Sequence, residues 1–140
     1  MLELTYAQKK RLDAEALLSN QRIDVSDEQL LQPSYSFNTS GFCLLRSDTR
    51  TVVLKFGGEG IGHGHPDKLS IAIHDGKREL ISDFGTSGYG VPDYLKWYKR
   101  SLSHNTVTVD AKDQKRSTGK ITKFIPRSDG GYAEAETVTA

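Results

Sequence analysis

An all-β fold follows from three features of this 140-residue sequence. First, short runs rich in Val, Ile, Phe and Tyr recur from Ser34 onward: SYSFN, GFCLLR, TVVLKF, LSIAIH, RELISDF, HNTVTVDA, GKITKFIP and GYAEAETVTA. Second, turn residues separate them, as in NTSG at 38–41, Asp75-Gly76 and SDGG at 128–131. Third, helical spacing is confined to residues 5–20 and the Leu4 before them, through Leu4, Tyr6, Leu12, Ala16 and Leu17. The spacing predicts an antiparallel β-sandwich of about eight strands, preceded by one helix.

Residues 1–33 read as that helix and a polar linker, in which Ser26 and Gln29 offer a short capping box. Residues 34–140 read as the sandwich. SYSFN alternates, GFCLLR follows the first turn, and TVVLKF is β-branched and apolar. LSIAIH sets Leu69, Ile71 and Ile73 on one face, and RELISDF returns after a hairpin. Residues 85–100, GTSGYGVPDYLKWYKR, read as a loop rich in glycine and aromatics. HNTVTVDA reads as a strand with Val107 and Val109 on one face. Two more strands follow, and the strand pattern runs to the end of the chain. A half-finished sheet edge is an aggregation hazard, so the sequence is expected to be a piece of a longer protein.

Composition narrows the function. A net charge of +1 gives no electrostatic case for a nucleic acid or a membrane surface as partner. No apolar run is long enough to span a bilayer, and the first residues have no signal-peptide core. The one cysteine, Cys43, lies in an apolar run and reads as core.

The chemistry concentrates in residues 57–70, GGEGIGHGHPDKLS. Glycine at that density serves turns and close approach of backbone to another group. His63 and His65 are two apart, so an extended backbone turns both rings to one side, whereas the glycines and Pro66 can bend the chain and separate their tasks. Asp83 follows an apolar strand, and His104 opens SHNTVTVD. A His, Asp, His set drawn from three segments suits zinc, and equally suits a hydrogen-bonded loop cluster. Asp67 is placed to cap a turn or to orient a histidine, and Asn105 to bond backbone beside His104. Tyr89, Tyr94, Trp97 and Tyr98 precede His104, and aromatic loops of this type stack on sugar rings or simply pack. Arg100 is a candidate partner for a substrate carboxylate. The glycine-rich run is no Walker loop, since it lacks the GK[ST] ending, and a strand follows it instead of a helix. A cupin-like oxygenase is also set aside: it requires a glutamate a few residues after HxH, and the next here is Glu79.

In order, the chain carries GHGHPDKLSI, a strand ending in Asp83 with Gly85-Thr86, an aromatic segment, then RSLSHNTVTVD and Gln114. This series resembles the heparinase II/III-like family, which includes the oligoalginate lyases, over roughly residues 41–114. The resemblance implies an α/α-toroid followed by antiparallel β-sheet domains, and cleavage of uronic-acid polysaccharides by β-elimination. It implies a zinc ion held by His65, Asp83 and His104, and a catalytic role for His63 at the cleft between domains. Tyr89 and Arg100 are expected to bind substrate. Residues 1–33 would be the tail of the toroid or its linker. The partner implied is an acidic polysaccharide or oligosaccharide, with no nucleic acid and no membrane, and homo-oligomerisation stays open. The location implied is periplasmic or secreted. Toroid residues supply much of the chemistry in this family, so the isolated chain is expected to be inactive. The alternative is a non-catalytic carbohydrate-binding or structural sandwich.

Overall fold

The structure, a computed structural model, describes residues 33–58, 63–76 and 78–138. The helix expected over 5–20 and most of its linker lie outside the described residues. Residues 32–140 form a unit of their own.

Seven strands are present among the described residues, all paired antiparallel. The first sheet is a meander of β1 (Tyr35–Phe37), β2 (Phe42–Arg46), β3 (Arg50–Lys55), β4 (Ser70–Asp75) and β5 (Arg78–Ile81), in that spatial order. The second is a ribbon of β6 (Lys120–Arg127) and β7 (Gly130–Glu136). Tight turns join β1 to β2, β2 to β3, β4 to β5 and β6 to β7, whereas β3 and β4 pair across the longer connection 56–69. Gly76 takes φ +56° in the β4–β5 hairpin, a conformation that favours glycine. Apolar side chains face each other across the ladder, as in Cys43 opposite Leu54, Val52 opposite Ile73 and Leu54 opposite Ile71. The ribbon meets the first sheet beside β2, where Ser34 Oγ donates to Gly130 C=O and a side chain at Gly131 would strike Leu45.

One close backbone approach fixes where the glycine-rich stretch begins. Gly41 C=O accepts from Phe56 N–H at 2.7 Å and from Gly57 N–H at 2.9 Å. A Cβ on Gly41 would lie 2.0 Å from Gly57 Cα. The chain therefore leaves β3 locked against the β1–β2 turn, and the segment bearing His63 and His65 starts from there.

The expected strand HNTVTVDA does not form. Val109 and Lys112 make an isolated bridge around a turn in which Asp110 and Ala111 both have φ +54°. Val107 and Val109 are 73% and 72% exposed, so the alternation there marks no buried face. The polar groups of the segment bind elsewhere. Asn105 C=O accepts from Ile71 N–H, Asn105 Nδ2 donates to Ile71 and Ser82 carbonyls, and Thr106 Oγ1 donates to Lys68 C=O. The segment is pinned to the start of β4 by these bonds and has no ladder of its own. Residues 85–100 are a loop as far as Val91, after which Tyr94–Tyr98 form a wide helical turn closed by Lys99 N–H on Tyr94 C=O.

The interior beside this turn is polar. Cys43, Phe56 and Tyr94 are the buried hydrophobic residues among those described. Ser34, Asp67, Lys68, Ser70, Ser101, Ser103 and His104 are buried too. Six of these seven polar residues lie at 67–70 or at 101–104, where buried polar groups need hydrogen-bond partners.

Candidate functional site

His63 and His65 have separate surroundings. His63 is exposed, and its Nδ1 is hydrogen-bonded to Tyr89 Oη, with the rings edge to face at 5.2 Å. His65 is half-buried beside Tyr94, with ring centroids 6.0 Å apart. The two rings, two residues apart, thus face different neighbours.

His65, His104 and Asp83 come together. His65 Nδ1 lies 3.0 Å from His104 Nε2, and His104 Nδ1 lies 2.8 Å from Asp83 Oδ2. The network assigns His104 Nδ1–H as donor to the carboxylate, leaving Nε2 to accept from His65. Asp83 Oδ1 accepts from Gly85 N–H at 2.7 Å, so the aspartate caps its turn and holds the imidazole at once. Burial holds the His65 imidazole below its ordinary pKa, and the neighbouring His104 adds to that.

This donor set fits a metal in part. Two imidazole nitrogens 3.0 Å apart are close to the separation of two ligands on a tetrahedral zinc, about 3.3 Å for Zn–N bonds of about 2.0–2.1 Å. Asp83 sits on the opposite nitrogen of the His104 ring, where an outer carboxylate orients a ligating histidine. Among the described residues, no three His, Cys, Asp or Glu side chains are grouped so that they could hold an ion.

A second layer of residues fixes the two histidine segments against each other. Gln114 Oε1 accepts from Lys68 N–H at 2.8 Å, and Gln114 Nε2 donates to Lys68 C=O at 3.0 Å, clamping that residue from both sides. The same Nε2 reaches Thr106 Oγ1 at 2.9 Å and Val107 C=O at 3.2 Å, two and three residues past His104. Ser101 is fully buried; its Oγ donates to Pro66 C=O at 2.5 Å and accepts from Gln114 N–H at 2.8 Å. Leu69 adopts φ +61° at the entry to β4, a strained conformation for a branched residue.

Among the described residues, Asp67 makes no side-chain hydrogen bond to a histidine. Its carboxylate binds two lysines, Lys55 and the fully buried Lys68, whose Nζ also donates to His65 C=O at 3.3 Å. Sequence reasoning missed Lys68 and Ser101. A lysine after Asp67 reads as a surface charge, and nothing in its neighbours signals burial. Gln114 was visible only as a member of the motif series.

Arg100 lies apart from the His63–Tyr89 pair in its bonding. Its Nε donates to Asp113 Oδ2, and Asp113 Oδ1 accepts from Ser101 N–H at 2.9 Å. Trp97 and Phe84 contact edge to face at 6.4 Å, and Lys99 Nζ stands 5.7 Å over the Tyr94 ring.

Comparisons with known proteins bear on the family and the fold. An exo-oligoalginate lyase of Saccharophagus degradans is 30% identical over 81 residues, covering 51% of this chain and 11% of that protein. An alginate lyase of Stenotrophomonas maltophilia is 28% identical over 94 residues, covering 58% of this chain and 13% of that protein. The chain therefore spans about a ninth to an eighth of the length of these relatives. In fold it is similar to a solved heparinase III, with TM-score 0.70 and 21% identity over 96% of this chain and 23% of that one. It is likewise similar to the heparan sulfate lyase HepC from Pedobacter heparinus, with TM-score 0.69 and 18% identity over 96% of this chain and 23% of that one. Residues 30–125 match the family described as heparinase II/III-like, C-terminal, and with that match over most of its length the chain belongs to this family of polysaccharide-lyase β-domains.

Proposed function

We propose that this chain is the β-domain of a lyase that cleaves uronic-acid polysaccharides by β-elimination, with His63 and Tyr89 at the reacting sugar. The observation that carries this reading is the gathering of residues 63–65, 83–89 and 104, from three segments, around one loop.

β-Elimination removes the proton on C5 of a uronate, breaks the C4–O4 bond, forms a C4–C5 double bond and returns a proton to O4. With the proton on Nδ1 donated to Tyr89 Oη, His63 keeps the Nε2 lone pair free for the C5 proton. His63 is exposed and Nδ1 alone is bonded to protein among the described residues, which supports this role. Tyr89 is 66% exposed and presents its ring to the sugar while its hydroxyl orients the imidazole. The acid for O4 and most of the carboxylate neutralisation are assigned to residues of the longer enzyme.

A divalent ion, zinc by its imidazole donors, is assigned to His65 and His104, with Asp83 behind His104 as the carboxylate that orients it. When bound, it supplies a fixed positive charge that ties the His65 loop to the His104 segment, since elimination requires no activated water. Asp83→Asn tests the assignment through metal content of the purified protein. A roughly 10–100-fold weaker affinity marks a carboxylate acting behind His104. Full loss marks a direct ligand, and unchanged affinity in both His65→Ala and Asp83→Asn removes the metal from the reading.

The substrate is an acidic polysaccharide of the alginate or heparan type, and the enzyme acts in the periplasm or outside the cell. The decisive experiment follows the ultraviolet absorbance of unsaturated uronate formed by the full-length protein. Absence of that product with every uronic-acid polymer overturns the lyase reading. The second reading, a carbohydrate-binding sandwich, draws on the exposed rings of Phe84, Tyr89 and Trp97. It predicts oligosaccharide binding that persists without any absorbance change.

A further inference from the structure

Two energetic costs meet at adjacent residues beside the candidate site. Lys68 is 0% exposed and has the largest of the fully buried side chains among the described residues. A buried ammonium is expensive unless its partners are close and its charge is matched. Here the partners stand at the long end of hydrogen bonding, Asp67 Oδ1 at 3.4 Å and His65 C=O at 3.3 Å. The same carboxylate also binds Lys55, so one anion serves two cations. An apolar side chain in place of such a group is often neutral or stabilising, so fold stability does not account for Lys68. The next residue, Leu69, holds φ +61°, and its N–H donates to Lys55 C=O at 2.7 Å. Backbone strain of this kind persists where neighbours over-determine it, and it gathers at functional sites.

What the ammonium holds is the His65 peptide. The backbone of Lys68 is anchored from outside its own loop, by Gln114 on its N–H and C=O and by Thr106 Oγ1 on the same C=O. Thr106 lies two residues past His104, so residue 68 is fixed relative to the His104 segment. Ser101 Oγ anchors the carbonyl of Pro66 and leaves that of His65 to other donors. Asp67 N–H reaches His65 C=O at 2.9 Å, but that bond is internal to the loop and travels with it. The Lys68 side chain is the arm that carries the anchored position back across three residues to residue 65. There the imidazole Nδ1 stands 3.0 Å from His104 Nε2.

We propose that Lys68 is a positioning residue, whose buried ammonium holds the His65 peptide so that its imidazole meets His104, at no gain in fold stability. The proposal rests on the lyase reading for its consequence in catalysis. His63 lies two residues before His65, so a loop released at residue 65 also carries His63 away from the reacting carbon. Lys68 itself touches neither substrate nor a reacting atom.

The test uses Lys68→Met in the full-length enzyme, which removes the ammonium and leaves Asp67 paired with Lys55. Three readouts are compared with wild type: the urea midpoint, kcat and KM with oligouronates, and the His65–His104 spacing in crystal structures of chelator-treated protein. The expected result is a midpoint equal to or above wild type, kcat lower by roughly 10–100-fold and KM within about twofold, since a misplacement of about 1 Å is worth that much in rate. The crystal structure of the variant should show His65 Nδ1 displaced from His104 Nε2 by about 1 Å or more beyond the present 3.0 Å. An unchanged spacing overturns the proposal whatever kcat does. A variant that unfolds, or whose midpoint drops along with kcat, overturns it too, because Lys68 then serves the fold. If wild type forms no unsaturated product, the lyase reading has failed on its own, and the midpoint and the spacing still decide the role of Lys68.

Discussion

Gln114 makes no hydrogen bond to His65 or His104 among the described residues, yet it holds the loop of one against the segment of the other. Its amide satisfies both the N–H and the C=O of Lys68, and it reaches Thr106 and Val107. Removing one partner of a buried hydrogen bond costs about 1–3 kcal/mol, because the group left behind is unsatisfied. Gln114→Leu is expected to lower stability by roughly 2–4 kcal/mol, read from the urea midpoint, whereas Gln114→Glu keeps the acceptor for Lys68 N–H and loses less. The Asp67 cluster gives an opposite pair of outcomes. Asp67→Asn leaves Lys55 and buried Lys68 without their shared carboxylate, and about 3–5 kcal/mol should be lost. Lys68→Met leaves Asp67 paired with Lys55, so its effect should be within about 1 kcal/mol of zero or stabilising. Equal losses in the two variants contradict this account. Cys43 is 0% exposed, and burial raises its thiol pKa. Its folded state holds the proton more tightly than the unfolded chain, whose thiol titrates near about 8.5. The contribution is therefore intact below that pH and is lost as pH climbs toward the raised folded value. Native protein at pH 8 is expected to resist alkylation that proceeds readily in denaturant.

At the scale of elements, the β1–β2 turn and the exit of β3 act as one joint. Gly41 has φ +71°, and its added Cβ would meet Gly57 backbone at 2.0 Å. Gly41→Ala is expected to cost more than about 2 kcal/mol, since strain and overlap both oppose it. Gly85→Ala has φ +65° but open space, so only the smaller conformational cost applies. Comparing the two midpoints separates the overlap from the backbone angle. The meander was legible because its strands alternate and its turns carry glycine where positive φ is required, as at Gly76. The segment 104–111 was misread because a TVTV pattern carries the same alternation whether or not a partner strand exists. What decides is Asn105 and Thr106 binding the start of β4, and no local pattern encodes that. The Tyr94–Tyr98 turn was hidden by neighbouring Gly90 and Pro92, which mark a loop and do not preclude a short helical turn after it. The site itself was legible further than its supports. His63, His65, Asp83 and His104 stand out by residue type, and Tyr89 and Arg100 by their neighbourhood. The layer formed by Lys68, Ser101 and Gln114 consists of residue types that are usually exposed.

At the scale of the molecule, the site is one-sided. The reaction assigned to it needs a base, an acid and a group that neutralises the uronate carboxylate. His63 with Tyr89 is proposed as the first, and Arg100 is tied to Asp113. The chain spans only 11% of one lyase relative and 13% of the other, so much of an enzyme of that size lies outside it. The 140-residue chain alone is therefore expected to give no appreciable rise in ultraviolet absorbance with alginate or heparan sulfate. In the full-length protein, His63→Ala is expected to lower kcat by roughly 10²–10⁴, the usual weight of a general base. Tyr89→Phe removes the hydroxyl that orients His63 and leaves the ring, so kcat should fall less, with KM nearly unchanged. His63→Ala activity within twofold of wild type would remove His63 from the chemistry. Ordinary turnover by the isolated chain would show instead that the acid and the carboxylate partner lie within these residues.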